Sequence, residues 1–481
     1  MTSLRKRSLS GVVWTFAQQF GGQLINFFIS IVLARILMPE EFGLIGMIAI
    51  VIAVGTSLME AGMTQSLIRT PNPDNADYST VFYVNLFVSL FVYLIIYLFA
   101  PLIASFYDES ILTELLRFLG LSIIIGAFSS VQRTKLTKEM NFKVQFAIQL
   151  PSLIISGIIG VTMAYLGYGV WSLVYMQLAR SFISSLQFWI YSSWSPKLIF
   201  NTQRLKYHFN FGYKLTISGL INTLYGNMYH VIIGKYFSTA DLGFYTRADS
   251  TKQLPVSNIS TAINKVTYPM FAEIKDNNER LKNAYTLVMQ QVLFWVSPIL
   301  IGAAVIAEPL FRLVFTEKWL PAVPMFQILC VVGILYPINA YNLSVLNVKG
   351  RSDLFLKLEI IKKSYTIIGV LLVIPFGIYA LLYFQIATSI IGFFINSFYS
   401  GKFIDFPITD QLKKISPIFI VTLIMGGCCY LLDKFMLVSE LHDSYRLVFV
   451  STLGGFVYFS ISKMANLAPL NEFLSMIKKS K

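Results

Sequence analysis

The most restrictive feature of the sequence is an uninterrupted run of thirty residues, 78–107, that contains no formal charge. An α-helix needs about 20 mostly apolar residues to cross the hydrocarbon core of a bilayer, so this run is long enough to span one. The rest of the chain fits the same setting, because 13% of its 481 residues are charged whereas soluble domains average about 25%. The chain is therefore a membrane protein, which excludes an intrinsically disordered chain, a disulfide-rich secreted scaffold and a cytosolic enzyme.

Charges and clusters of proline, glycine and asparagine divide the sequence into fourteen apolar segments of spanning length. The predicted membrane-spanning segments are residues 10–37, 42–67, 79–107, 112–134, 144–166, 169–191, 211–236, 241–270, 283–315, 321–348, 354–375, 377–400, 415–432 and 445–463. Little sequence remains between them, so no separate soluble domain is expected. The first segment follows Arg5, Lys6 and Arg7 without a small-residue cleavage site, and we expect it to be a retained span and not a signal peptide.

Basic residues are distributed unequally between the two sets of loops. An even number of spans puts both termini on one side, and the loops on that side hold most of the lysines and arginines, whereas the opposite loops hold almost none. Because basic loops stay in the cytoplasm, both termini are predicted to be cytoplasmic. Clusters such as Arg133-Thr134-Lys135 are attributed to this topology. The net charge of +14 therefore needs no nucleic-acid partner.

Similar short motifs recur about 200 residues apart. Residues 33–43, LARILMPEEFG, resemble residues 233–243, IGKYFSTADLG, and three further matches follow in the same order at offsets of 208 to 214: 100–102 with 308–310, 135–143 with 349–357, and 169–173 with 377–381. This pattern predicts two like-oriented six-helix halves, related by a pseudo-two-fold axis along the membrane normal and followed by two helices. The predicted domains are an N-terminal lobe at 1–191, a cytoplasmic linker at 192–210, a C-terminal lobe at 211–400, and two further helices with a basic tail at 401–481. Paired halves of this kind are typical of alternating-access transporters.

Charged side chains inside predicted spans mark a candidate site, because charge at membrane depth is costly and usually faces a bundle interior, water or a partner. In the eighth span Arg247, Asn258 and Lys265 are separated by eleven and seven residues, which places them on one helix face. Together with Arg180 of the sixth span, they are the candidate lining of a cationic cavity that receives a negative group. For Arg247 and Lys265 an interhelical ion pair is an equally supported alternative.

Two carboxylates are candidates for ion coupling or gating. Glu60 lies within the second span, where an isolated charge is costly. Asp249 lies in the eighth span, where a local pair with Lys252, three residues further on, is the alternative.

Amide side chains are the candidate polar lining of the cavity. Gln19, Gln23 and Asn26 form a stripe on the first span, and Asn222 and Asn227 lie in the seventh. Amides can contact sugar hydroxyls, but they also tie helices together in membranes, and both roles stay open.

No residue pattern for catalysis is found. Cys330, Cys428 and Cys429 lie in apolar runs without metal-ligand spacing, and the three histidines are scattered singly. No nucleophile–base pair or phosphate-binding glycine loop is present. We therefore predict no catalytic residues, no metal and no cofactor.

The segment 33–44, LARILMPEEFGL, follows a first span rich in glutamine and glycine, and it resembles the polysaccharide transporter family. These are the Wzx-type flippases for O-antigen, capsule and exopolysaccharide units. Residues 60–63 and the loop at 132–142 also resemble this family, especially its colanic-acid-exporter-like branch. The resemblance extends over essentially the entire chain.

The resemblance implies an all-α, MATE-like fold, in the superfamily of the lipid II flippases and multidrug extruders, and a place in the bacterial inner membrane. Members of the family are taken to move an undecaprenyl-diphosphate-linked oligosaccharide from the cytoplasmic to the periplasmic leaflet for surface polysaccharide biosynthesis. The expected partners are this substrate and membrane lipids, with a polysaccharide polymerase and glycosyltransferases as further candidates. The alternatives are a MATE-type cation-coupled drug antiporter, which predicts an acidic cavity, and a membrane glycosyl polymerase or ligase, which predicts a large periplasmic loop.

Overall fold

The computed structural model describes residues 20–479, apart from the side chains of residues 262, 264–266, 268–269 and 476–479. Every regular element within this range is helical. In chain order the helices are α1 Phe20–Ile36, α2 Pro39–Glu60, α3 Met63–Arg69, α4 Asn75–Tyr107, α5 Leu112–Lys138, α6 Phe142–Tyr165, α7 Val170–Tyr191, α8 Thr202–Gly226, α9 Met228–Tyr236, α10 Thr239–Glu273, α11 Asn278–Val305, α12 Ala307–Phe315, α13 Ala322–Val348, α14 Ser352–Val373, α15 Ile378–Phe403, α16 Ile408–Val438, α17 Asp443–Met464 and α18 Ala468–Lys479, with 3₁₀ turns at Glu317–Trp319 and Ile374–Phe376. The expected all-α fold is therefore confirmed.

As far as they are described, the fourteen predicted segments all fall on helices, but three of them are broken. The second segment changes from α2 to α3 at Ala61 and Gly62, both of which have positive φ values. The seventh is interrupted at Asn227 and the ninth at Ile306. Of the described helices, nine are long and apolar enough to cross a bilayer. The exact count of fourteen spans stays a prediction.

The uncharged run forms α4, whose ends are marked by aspartates. At the N-terminus the Asp74 carboxylate accepts a hydrogen bond from the Asp77 backbone N–H at 2.8 Å, and the Asp77 carboxylate accepts one from the Asp74 N–H at 3.0 Å. This reciprocal arrangement satisfies two N–H groups that have no partner within the helix. At the C-terminus Asp108 adopts the left-handed conformation that stops the helix. The 33 residues between them extend about 50 Å, which is more than the thickness of the hydrocarbon core.

The contacts of the described residues divide the chain into two compact units, which meet in sequence between Gly243 and Phe244, inside α10. Helices α8 and α9, which the sequence assigns to the C-terminal lobe, contact α2, α3 and α4 of the first unit. The predicted boundary at residues 192–210 separates the two sequence repeats. The division into two compact units does not test it. That boundary stays a prediction.

The two copies of the repeated motif contact each other within the first unit. A Cβ atom added to Gly43 would overlap the carbonyl oxygen of Thr239, and one added to Gly243 would overlap the carbonyl oxygen of Pro39. Thr239 and Gly243 stand 200 residues after Pro39 and Gly43, so the two contacts are equivalent. A reciprocal contact of this kind is what a local two-fold axis between the two motifs requires.

The close approach at Gly43 predicts a large effect of a single methyl group. We expect Gly43→Ala to lower the free energy of unfolding by at least about 1–3 kcal/mol, because the new Cβ must displace a backbone carbonyl. Gly427→Ala is the matched control, since an added Cβ there meets nothing within 4 Å and alanine is the better helix former. Thermal unfolding in detergent measures both. A Gly43→Ala protein that melts at or above the wild-type temperature would contradict the contact.

Candidate substrate site

The structure brings together two predicted site residues, Arg180 on α7 and Asn26 on α1. The Nη1 atom of Arg180 donates a hydrogen bond to Oδ1 of Asn26 over 3.5 Å, and both side chains are exposed. One turn before Asn26, the Oε1 atom of Gln23 is buried and accepts no hydrogen bond from the described residues. Gln19 lies outside the described residues. The polar stripe of α1 thus adjoins a cation, as far as it is described.

Arg133 is a further member of this site, although the sequence attributed it to the charged loops and not to the candidate residues within spans. Helix α5 continues to Lys138, so Arg133 lies inside the helix and not in a loop. Its guanidinium carbon lies 5.2 Å from the centre of the Phe188 ring on α7, and its charge is close enough to interact with those of Glu60 and Arg180. The sequence does indicate this longer helix, because no glycine, proline or asparagine occurs between residue 134 and Glu139-Met140-Asn141.

Glu60, Arg133, Arg180 and Asn26 therefore form one group, here called the arginine cluster. They come from the end of α2, from α5, from α7 and from α1. Two guanidinium groups and one carboxylate give the cluster a formal charge of +1. Both arginines are exposed, so they are accessible to a ligand. Guanidinium groups bind phosphate oxygens through paired, charge-assisted hydrogen bonds, which makes this cluster chemically suited to a phosphorylated head group.

The predicted residues of α10 are placed differently. Arg247 is 5% exposed, and its guanidinium carbon lies 5.0 Å from the ring centres of both Phe315 and Trp319. Such cation–π contacts stabilise a buried guanidinium and favour a structural role for it. Substrate contact by Arg247 stays a prediction.

The other candidate residues on α10 are Asp249, Asn258 and Lys265, and the structure describes the side chains of the first two. The ion pair between Asp249 and Lys252, which was the alternative to a gating role, is present: Nζ of Lys252 lies 2.6 Å from Oδ1 of Asp249. The Oδ1 atom of Asn258 is buried and has no hydrogen-bond partner among the described groups. Lys265 belongs to α10, but its side chain is not among those described. The common face of Arg247, Asn258 and Lys265 therefore stays a prediction, as does a gating role for Asp249.

The two amides of the seventh segment also differ from each other. The Nδ2 atom of Asn227 donates to the Thr223 carbonyl over 2.8 Å, at the break between α8 and α9. The same carbonyl accepts from the Asn227 backbone N–H at 3.1 Å, so Asn227 is held to the last turn of α8 by both its side chain and its main chain. Asn222 is exposed on α8. A polar lining that includes Asn222 and Asn227 stays a prediction.

An open apolar groove of about 540 Å³ lies elsewhere in the first unit, between α2, α4, α8 and α9. Gly55 and Leu58 of α2 line it. Leu58 and Glu60 are two residues apart on a helix, so they point to nearly opposite faces. The groove is therefore separate from the arginine cluster, and its apolar lining suits contact with hydrocarbon chains of lipid.

Comparisons with known proteins place the chain in a family. A family model described as "Polysaccharide biosynthesis protein" matches residues 32–324. The chain is 27% identical to the teichuronic acid biosynthesis protein TuaB of Bacillus subtilis, over 89% of each protein. It is 25% identical to the lipopolysaccharide biosynthesis protein WzxC of Escherichia coli, over 75% of this chain and 74% of that protein.

Solved structures of transporters have the same fold. The lipid II flippase MurJ matches with a TM-score of 0.76 and 16% identity, over 94% of this chain and 98% of MurJ. An inward-facing multidrug resistance MATE family transporter matches with a TM-score of 0.61 and 16% identity, over 82% of this chain and 98% of the transporter. The MATE-like fold expected from the sequence is therefore confirmed. Because the family model covers more than half of the 481 residues, the chain belongs to the polysaccharide biosynthesis protein family.

Proposed function

We propose that this multi-pass membrane protein is a flippase, which moves a polyprenyl-diphosphate-linked oligosaccharide from the cytoplasmic to the periplasmic leaflet of the bacterial inner membrane by alternating access. Membership of the family supports this function, as do the names of the relatives, which refer to polysaccharide biosynthesis, and the fold shared with a lipid II flippase. The two termini lie in the cytoplasm. A polysaccharide polymerase and glycosyltransferases are the partners that such a position in biosynthesis implies.

The arginine cluster is the observation that carries the proposal. A diphosphate is a dense anion, and Arg133 and Arg180 offer it two guanidinium groups that repel each other in its absence. Binding the diphosphate removes this repulsion and forms charge-assisted hydrogen bonds. Asn26 bonds to Arg180, and Gln23 lies one turn earlier on α1; these amides are available to the first sugar. The polyprenyl chain stays in the surrounding lipid.

The positive charge of the cluster also bears on the alternatives. A cation-coupled drug antiporter needs negative charge where its cationic drug binds, whereas this site has a net positive charge. A polymerase or ligase needs groups that break or form glycosidic bonds. The cluster contains a single carboxylate, Glu60, whereas glycosidic chemistry usually uses a pair of them.

Transport by the reconstituted protein tests the proposal directly. The full chain is placed in liposomes that carry a short lipid-linked oligosaccharide in both leaflets, and an impermeant reagent then modifies the exposed glycans. A flippase brings the protected fraction to the reagent without any change in glycan length. Modification that stops at the outer leaflet contradicts flipping, a change in glycan length indicates a polymerase or ligase, and cation-driven dye movement alone indicates an antiporter.

Glu60 competes with the diphosphate for Arg133 in this scheme, so its charge affects binding and release in opposite ways. We expect Glu60→Gln to bind a water-soluble short-chain polyprenyl diphosphate several-fold more tightly and to flip the full substrate more slowly, because release becomes limiting. Calorimetry and the liposome assay measure the two effects. Glu139→Gln, which removes a carboxylate beyond the end of the same α5 helix that carries Arg133, is the control and should change neither. Weaker diphosphate binding by Glu60→Gln would contradict the competition.

A further inference from the structure

A buried polar cluster in the first unit fixes the start of α8 to α3 and α4. The Oγ atom of Ser66 on α3 lies 2.8 Å from Nδ1 of His208 on α8, and Nε2 of His208 lies 3.2 Å from Oδ1 of Asp77 on α4. Ser66, His208 and Asp77 are 2%, 0% and 1% exposed. These three residues and Arg204 are here called the His208 clamp. Because a buried polar group without a partner costs about 1–3 kcal/mol, their hydrogen bonds stabilise the docked position of α8.

Burial lowers the pKa of the His208 imidazole and so favours its neutral form, although Asp77 opposes this effect. Arg204 of α8 already supplies a cation to the carboxylates of α4, since its Nε lies 3.4 Å from Oδ1 of Asp77 and its Nη2 lies 3.1 Å from Oδ2 of Asp74. The neutral imidazole then fits every bond, because Nε2–H donates to Asp77 and Nδ1 accepts from the Ser66 hydroxyl.

Two other cations near these helices, Arg69 and Lys138, are engaged elsewhere. The guanidinium of Arg69 on α3 lies over the ring of Phe211, at 4.6 Å from its centre. The Lys138 ammonium on α5 donates to carbonyl groups at the end of α3, including that of Ile68 at 2.9 Å. Asp77 and Arg204 are thus the charges that act on the imidazole, and Asp74 is paired with Arg204.

Helix α8 is packed tightly at the clamp and loosely beyond it. A Cβ atom added to Gly212 would overlap the carbonyl oxygen of Ala61, and one added to Gly62 would overlap that of Gly212, so the backbones touch at the break between α2 and α3. In α8, all of which is described, only His208 and Gly212 are buried. At the far end α9 is fixed again, where Nζ of Lys235 lies 2.9 Å from Oδ2 of Asp108. The clamp is therefore the buried polar attachment of α8 at its N-terminal end, beside the packing of Leu205 against the apolar cluster around Met63 and Tyr78.

The second unit has an uncharged polar cluster at the corresponding place. Gln411, at the start of α16, donates from Nε2 to the carbonyls of Ser397 and Phe406 at 3.2 and 3.0 Å, and the Tyr285 hydroxyl donates to Oδ1 of Asn342 at 2.7 Å. Tyr285 stands 208 residues after Asp77, the offset that relates residues 100–102 to 308–310. Each unit thus fixes the start of one of its own helices, α8 in the first and α16 in the second, through buried polar groups. Of these two clusters, the one in the first unit contains the histidine and the carboxylate.

We propose that the His208 clamp is a proton-sensitive latch, which holds the start of α8 against α3 and α4 while His208 is neutral and releases it when His208 takes up a proton. This inference concerns the conformation of the first unit and does not depend on the transported substrate. It adds to the proposed flippase a means by which pH changes the mobility of α8.

The direction of the pH effect follows from linkage. His208 precedes the predicted span at 211–236, and burial lowers the pKa of its imidazole, with Arg204 lowering it further and Asp77 opposing both. In the released state the imidazole meets water and has its ordinary pKa of about 6.5. The released state therefore binds protons more readily, so the docked state is fully favoured above about pH 6.5 and loses stability as the pH falls below that value. Each unit of difference between the two pKa values changes the opening constant about tenfold.

Amide hydrogen exchange on the full chain in lipid nanodiscs tests the latch. After correction for the intrinsic pH dependence of the exchange chemistry, amides of residues 203–212 should exchange several-fold faster at pH 5.5 than at pH 7.5. Amides at the start of α16, around Gln411, are the matched control and should show no such change. His208→Asn, which cannot take up a proton in this range, should remove the difference. Equal exchange of residues 203–212 at the two pH values, or a difference that persists in His208→Asn, would overturn the proposal.

A second measurement on the wild-type protein keeps the proposal testable if His208→Asn fails to fold. Exchange of the C2 hydrogen of His208, followed by mass spectrometry across pH, reports the pKa of that imidazole. We expect a value below 6.5, and a value at or above 6.5 would contradict the latch. Neither measurement uses a glycan substrate, so failure of the latch leaves the flippase proposal to its own test.

Discussion

Replacing Arg133 and Arg180 together with glutamine should reduce the affinity for a short-chain polyprenyl diphosphate by at least about a hundredfold. Hydrogen bonds to a charged group contribute about 1.5–3 kcal/mol each, and every 1.4 kcal/mol corresponds to a factor of ten. Two lost guanidinium groups therefore remove about 3–6 kcal/mol. Calorimetric titration of the protein in detergent measures the affinity, and the liposome assay should show a matching loss of flipping.

Each single replacement should cost about ten- to a hundredfold, and the two effects should not be additive, because the arginines interact with each other. Arg117→Gln is the matched control. Arg117 also lies on α5, but its guanidinium lies 4.2 Å from the centre of the Tyr97 ring, outside the arginine cluster. The assignment of the site would be wrong if Arg117→Gln weakened diphosphate binding as much as the double variant, or if the double variant bound normally.

Arg446→Met should lower the free energy of unfolding by about 2–4 kcal/mol, because it leaves the Asp433 carboxylate of the second unit, which is 13% exposed, without its cation. Arg446 is 1% exposed. Its Nε and Nη2 atoms donate to the two oxygens of Asp433 at 3.1 and 2.9 Å, and Nη1 donates to Asp443 at 2.9 Å. Asp443 keeps a second cation, Arg312, at 3.2 Å, so the loss falls mainly on Asp433.

Thermal and denaturant unfolding in detergent measure this loss, with two further variants as controls. Arg351→Met breaks an exposed pair with Asp353 and should leave the stability unchanged. The double variant Arg446→Met/Asp433→Leu should recover most of the stability, because an apolar pair can replace a buried ion pair with little net cost. A single Arg446→Met variant as stable as the wild type would show that the pair contributes nothing.

The helices were predictable because spanning length and missing charge are local properties of the sequence. The breaks within segments were harder to predict. Gly62 gives a signal, since glycine readily adopts positive φ, but Asn227 becomes a break only through the structure around it. The end of α5 shows why Arg133 was missed. In the predicted segment 112–134 it lies in the last turn, where a basic residue is ordinarily attributed to topology, whereas α5 extends to Lys138 and Arg133 lies near Glu60 and Arg180.

The partners of a polar side chain could not be predicted where they lie far away in sequence. For Arg247 a cavity or an interhelical ion pair was expected, and its contacts with the rings of Phe315 and Trp319, about 70 residues further on, could not be derived from the sequence. His208 looked isolated in the sequence, because the residues that bind it, Ser66 and Asp77, precede it by more than 130 positions. Polarity at membrane depth thus identifies residues that need a partner, and packing decides which partner they obtain.

The contact between Gly43 and Gly243 has a consequence for how this gene could evolve. After duplication, two copies of a segment ordinarily diverge independently, each under its own constraints. Here each copy rests on the other's main chain, through Thr239 and Pro39, so a larger side chain in one copy requires the other to retreat. We therefore expect substitutions at these two positions, 200 residues apart, to be constrained together and not separately.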